Sequence, residues 1–208
     1  QLVILACNTA SAKALRTIQQ HDLPLIDPDR RVLGVIRPSV EAVGSLTVSG
    51  CVGVLATPGT VKSDSYRLEI AKLHPAIRVF QEACPMWVPL VENGEFEGPG
   101  ADYFVERHVR ALLAQCPEID TVVLGCTHYP LLESKIRRYL PPGIQLLEQG
   151  KVVADSLKDY LRRHPDMSSR LSRNGTRTFL TTETPELFNH PAGMFFGAEV
   201  QAYSVIIS

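Results

Sequence analysis

The sequence predicts an α/β protein, with mostly parallel sheets flanked by helices. Three observations carry this. Short runs rich in Val, Leu and Ile alternate with longer stretches whose apolar residues recur at helical spacing. The short runs are nearly continuous in their apolar character, as strands covered on both faces require. Pro and Gly pairs punctuate the joins, at Pro58-Gly59 and at Pro141-Pro142-Gly143.

In chain order, QLVILA (1–6) reads as a buried strand. Asn8 to Gln20 places Ala12, Leu15 and Ile18 at helical spacing. Val32 to Ile36 is a second strand, stopped by Arg37-Pro38, and Ser39 to Leu46 is helical. CVGVLAT (51–57) is a strand that gives way to a helix carrying Tyr66, Ile70 and Leu73. Ile77 to Phe80 is a strand, Glu92 to Gly100 a loop, and Tyr103 to Ala114 a helix. TVVLG (121–125) is a third buried strand, followed by a helix from Leu131 to Leu140. Ile144 to Leu147 is a strand and Val152 to Arg163 a helix. Pro165 to Gly175 is polar and aperiodic, which predicts an exposed loop, and Thr178–Thr181 and Val200–Ile207 read as closing strands.

A chain of 208 residues buries a core without disulfides or metal. A net charge of −1 gives no electrostatic reason to propose nucleic acid or an anionic membrane as partner. No apolar run approaches the ~20 residues that cross a bilayer. The five cysteines, Cys7, Cys51, Cys84, Cys116 and Cys126, are odd in number and widely spaced. No pair has C-x-x-C spacing, so neither a zinc ribbon nor a dithiol motif is predicted. A reducing, cytoplasmic setting is expected, in which each cysteine is a small buried hydrophobe or a working thiol.

Two segments share a local frame. ILACNTASA (4–12) and VLGCTHYPL (123–131) each run from a buried strand through a small residue to Cys, with Thr near the next helix. Ligands of open α/β sheets bind at the carboxyl ends of strands, where Cys7 and Cys126 stand. A helix start beside a thiol favours its ionised form. Asn8, Thr9 and Thr127 are cap-type residues whose donors suit a carboxylate. One such cysteine reads equally well as an inert core residue, but two in one frame point to chemistry. Cys51, Cys84 and Cys116 lack that frame and read as structural. His128 stands two residues beyond Cys126, where it can orient or assist the thiol. Cys-x-His is not a usual zinc spacing, and no metal centre is predicted. Racemisation at an α-carbon needs a base on one face and an acid on the other, with the roles exchanged for the mirror-image substrate. Two thiols supply that symmetry, whereas a hydrolase needs one and a redox pair must sit within disulfide reach.

At these residues the chain resembles the aspartate/glutamate racemase superfamily, on its glutamate branch. The matching segments are VILACNTASA (3–12), GVIRPSVEA (34–42), GVLATPGTVKS (53–63), CPMWVPLVENG (84–94) and LGCTHYPLLE (124–133), in the family's order. Cys-Thr-His at 126–128 resembles the glutamate branch, whereas aspartate racemases usually show Cys-Thr-Glu. The resemblance implies two pseudo-symmetric α/β lobes, residues 1–36 with 148–208 and residues 37–147, with the active site in the cleft between them. It implies that Cys7 and Cys126 are paired acid/base groups and that His128 assists the second. It implies substrate binding by Asn8, Thr9 and Thr127, and a carboxylate near the site at Glu92. Thr57 and Thr60 fall in the family's Gly/Thr turn, where they line the cleft or simply cap the next helix. It further implies glutamate as substrate, D-glutamate for peptidoglycan as product, no cofactor or metal, a bacterial cytoplasmic enzyme and a homodimer as one assembly.

The family's opening strand with its Asp-Ser pair, and its later Pro-Tyr-Gly turn, are not in this sequence. The expectation is a missing N-terminal segment, and with it an aspartate that assists Cys7, so that the chain as given has little or no activity. The competing readings are another racemase of the superfamily, such as an aspartate racemase, a partner-binding module that kept the fold without catalysis, and a thiol redox enzyme.

Overall fold

A computed structural model describes residues 1–207. Their contacts group into two units, Gln1–Leu171 and the residues from Ser172 on. In the first unit, strands β1 (Leu2–Leu5) and β2 (Arg31–Gly34) pair in parallel, with Val3 opposite Val32. Strands β3 (Cys51–Ala56), β4 (Arg78–Ala83), β5 (Thr121–Gly125) and β6 (Gln145–Leu147) form a parallel sheet in the order β4-β3-β5-β6. In the second unit, β7 (Phe179–Thr181) and β8 (Ala202–Ser204) pair in parallel, with a helix, Pro185–Phe196, between them in sequence. The expected class, parallel sheets flanked by helices, holds. Among the described residues no helix is long and apolar enough to cross a membrane.

The four-stranded sheet shows why its sequence is apolar at every position. Successive residues of a strand face opposite sides. Cys51 and Leu55 of β3, with Val122 and Leu124 of β5, enter one core layer under the helix Pro99–Gln115, beside Trp87 and Leu112. Val52, Val54 and Ala56, with Val123, enter the other layer against Val40, Val43, Tyr66 and Ile70 of the helices Ile36–Leu46 and Ser65–Leu73. Every residue of β3 and β5 is buried. Trp87 is fully buried and meets the Tyr129 ring edge-on at 4.7 Å, wedging the core beneath the turn that follows β5.

Several elements differ from the sequence reading. β2 stops at Gly34, and Ile36 already opens a helix. Pro38 lies within that helix's first turn, where a missing N–H costs nothing, so it does not mark a boundary. The first helical stretch is broken into Asn8–Lys13, Leu15–Thr17, a π turn at Ile18–Asp22 and Leu23–Ile26, and so runs past Gln20. Trp87–Glu92 is a helix, and Glu92–Gly100 is a loop only in part, because Glu95–Glu97 forms a 3-10 turn and Pro99 begins the long helix. Pro165–Ser169 is helical and Met167 is buried, so this stretch is not simply an exposed loop. The helix Pro185–Phe196 has no counterpart in the sequence reading.

Candidate active site

Two strand ends build the site. β1 ends at Leu5, and Cys7 caps the start of the helix Asn8–Lys13 with extended backbone, φ −106° and ψ 129°. The Ser11 N–H closes the first turn on the Cys7 carbonyl at 2.9 Å. The Cys7 side chain is exposed. At the second strand end, β5 delivers Gly125 and then Cys126, which is buried. A side chain at Gly125 would meet Ala56 Cβ, the Leu55 carbonyl and Tyr66 within 3.1–3.2 Å, so a larger residue here would have to push these neighbours aside next to the thiol.

The two thiols occupy contrasting environments. Burial pushes the Cys126 thiol up to about 11, against backbone N–H groups of His128 and Thr127 that donate to it. Negative charge on Cys7, and on Glu92, raises it further. Cys126 is therefore a protonated thiol at neutral pH, near enough to Cys7 that a charge on one disfavours a charge on the other.

His128 lies between Cys126 and Glu92. Its Nδ1 is 3.7 Å from Cys126 Sγ, and its Nε2 is 3.1 Å from Glu92 Oε1. Glu92 ends the helix Trp87–Glu92 and its side chain is more than half exposed. A thiol, an imidazole and a carboxylate in series can steady either protonation state of the sulfur. Thr127 is exposed beside them.

Three threonine hydroxyls meet beside the first cysteine turn. Thr9 Oγ1 lies 2.9 Å from Thr57 Oγ1 and 3.1 Å from Thr60 Oγ1, and Thr57 and Thr60 are 3.1 Å apart. Thr57 also caps the helix Pro58–Lys62 by accepting the Thr60 N–H. Thr57 is thus a helix cap, and Thr60 is fully buried, so its hydroxyl serves this local contact. Gly59 belongs to the same contact, since a Cβ there would touch the Thr9 methyl at 3.0 Å. The first cysteine turn is in this way fastened to the loop that follows β3.

Asn8 is different. It is buried, and its amide is engaged at both ends. Its Nδ2 donates to Gln149 Oε1 at 2.5 Å, and the Tyr66 hydroxyl donates to its Oδ1 at 2.8 Å. Gln149 Nε2 faces Tyr66 Oη and Ser39 Oγ at 2.8 Å and the Val35 carbonyl at 3.2 Å. Sequence reasoning places Tyr66 among apolar helix positions and gives Ser39 and Gln149 no role. Their partners lie far off in sequence, so no local signal marks them. Together the four side chains anchor the residue next to Cys7 to three helices of the core.

A family model described as Asp/Glu/Hydantoin racemase matches residues 1–157. The chain is 38% identical over 210 residues to the glutamate racemase of Ruegeria pomeroyi, covering 96% of this chain and 74% of that protein. It is 39% identical to the glutamate racemase of Roseobacter denitrificans, with 96% and 75% covered. Among solved structures, glutamate racemase isoform RacE1 from Bacillus anthracis superposes with a TM-score of 0.86 at 30% identity, over 99% of this chain and 74% of that one. The Francisella tularensis glutamate racemase, solved in complex with D-glutamate, gives 0.83 at 29% identity, over 100% and 73%. Matched along most of its length in both sequence and fold, the chain belongs to the Asp/Glu/hydantoin racemase family, on its glutamate racemase branch, and is an amino-acid racemase.

Proposed function

We propose that the protein interconverts L- and D-glutamate without a cofactor, with Cys7 and Cys126 as alternating base and acid on opposite faces of the α-carbon. The observation that carries this is the inequality of the two thiols. One is exposed at a helix start, and the other is buried, protonated and raised further by negative charge on the first. Two thiolates so close would repel, so when one of the pair ionises the other keeps its proton. That is the state two-base racemisation needs: a thiolate takes the α-proton from one face while a thiol gives its proton to the other. After each turnover the proton has changed sides, and the enzyme is ready for the mirror-image substrate.

His128 and Glu92 support the Cys126 side of this exchange. The hydroxyls of exposed Thr127 and half-buried Thr9 and Thr57 are suited to the charged groups of an amino acid, while buried Thr60 holds Thr9 and Thr57 in place. Asn8 contributes through its main-chain N–H at the helix start, since its side chain is already spoken for. The D-glutamate formed supplies peptidoglycan synthesis in the bacterial cytoplasm.

The rival substrate is aspartate, one methylene shorter. Racemisation by the intact protein, followed by circular dichroism, is expected to favour glutamate over aspartate by about 100-fold in kcat/KM, near the upper end of what one methylene provides. Equal or faster turnover of aspartate would assign the protein to a different branch. Glutamate that binds without ever racemising would instead favour the non-catalytic binding module.

A further inference from the structure

At the end of the four-stranded sheet opposite Cys126, a second group of thiols converges. Cys51 opens β3, Cys116 follows the helix Pro99–Gln115, and Glu118 lies in the turn that leads into β5. One ligand atom from each of the three lies within 4.8 Å of the others. Cys51 Sγ is 3.8 Å and Cys116 Sγ 4.0 Å from Glu118 Oε2. Both cysteines are buried, while the glutamate is exposed and stands at the mouth. The backbone frame is fixed: the Asp120 N–H donates to the Cys51 carbonyl at 3.3 Å, and the Arg78 N–H donates to the Gly50 carbonyl at 2.8 Å.

We propose that Cys51, Cys116 and Glu118 form a binding site for a thiophilic divalent cation such as zinc, separate from the catalytic thiols and independent of the racemase chemistry. The geometry favours a metal over a disulfide. In a tetrahedral site with metal–sulfur bonds of ~2.3 Å and metal–oxygen bonds of ~2.1 Å, neighbouring sulfur and oxygen ligands stand about 3.6 Å apart. The two sulfur–oxygen distances here exceed that by only a few tenths of an ångström. A carboxylate beside two thiols contributes nothing to a disulfide, whereas it completes a three-ligand set that leaves a fourth position for water.

The cluster already holds a cationic group of the chain. The Arg78 guanidinium lies 2.8 Å from Cys51 Sγ and pairs with Glu118. Arg78 is more than half exposed, so it can swing out as the metal enters. As the metal–sulfur bonds form, each thiol gives its proton to solvent.

The test uses the intact protein carrying Cys7→Ser and Cys126→Ser, which leaves buried Cys84 as the one thiol outside the cluster. One equivalent of Cd²⁺ or Zn²⁺ is expected to bind, and Cd²⁺ to give a thiolate-to-metal charge-transfer band in the ultraviolet. The further change Cys116→Ser abolishes the band. Glu118→Gln, on the surface and safe for folding, weakens binding about tenfold or more. Arg78→Gln strengthens binding, because it removes the competing cation. Absence of the band, or binding indifferent to both Cys116→Ser and Glu118→Gln, overturns the proposal. A Cys51–Cys116 disulfide in aerobically purified protein that takes up no metal after reduction also overturns it, in favour of a redox pair.

Discussion

Replacing Cys7 by serine lowers racemisation by on the order of 10³-fold or more, and replacing Cys126 does the same, because each change removes an acid/base group from one face of the α-carbon. The loss is equal for L- and D-glutamate in each variant. Two enantiomers have the same free energy, so kcat/KM must match in both directions whatever the residue lost. The asymmetry appears in proton exchange instead. With Cys7 gone, Cys126 still reaches the enantiomer whose α-hydrogen faces it, and returns a solvent proton to the same side. Deuterium from the solvent is therefore expected in one recovered enantiomer with Cys7→Ser, and in the other with Cys126→Ser. Exchange into both enantiomers by either variant would mean that one thiol reaches both faces.

Gln149→Leu destabilises the protein by about 3 kcal/mol, since it strips buried partners that each cost about 1–3 kcal/mol to leave unsatisfied. Gln149 is the residue through which Asn8, Tyr66, Ser39 and the Val35 carbonyl are joined. Leucine has similar bulk but leaves the Asn8 amide and the Val35 carbonyl facing an apolar side chain. For a chain of this size the melting temperature should fall by roughly 10 °C. Turnover should also fall about tenfold or more, because Asn8 holds the turn that carries Cys7 and small misplacements of a reacting group are costly. Tyr66→Phe removes a single hydroxyl from the same network and should cost only about 1 kcal/mol. Thermal denaturation and steady-state rates check both. An unchanged melting temperature for Gln149→Leu would show that the network contributes nothing to the fold.

Legibility in the sequence followed locality. The central strands β3 and β5 were legible because both faces are buried and the apolar runs are uninterrupted. The two cysteine turns were legible because strand, small residue, Cys and Thr are adjacent in the chain. The helix Pro185–Phe196 was not, since Pro191 sits inside it and exposed Leu187, Phe195 and Phe196 blur any single apolar stripe. The π turn at Ile18–Asp22 carries the helix past polar Gln20 and His21, where a periodic reading stops. Tyr66, Ser39 and Gln149 were hidden because the network joins residues as far as 141 positions apart. The approach of Cys51 to Cys116 was hidden for the same reason, as their wide spacing matches no ligand motif.

The most direct test of the two-thiol account is early turnover of protiated L-glutamate by the intact protein in D₂O. The account predicts that the first D-glutamate formed carries one solvent deuterium at its α-carbon, while the remaining L-glutamate stays protiated. Solvent deuterium entering the recovered L-glutamate as fast as inversion, or protium carried through into the D-glutamate, would contradict it, because both outcomes need a single group that takes and returns the proton.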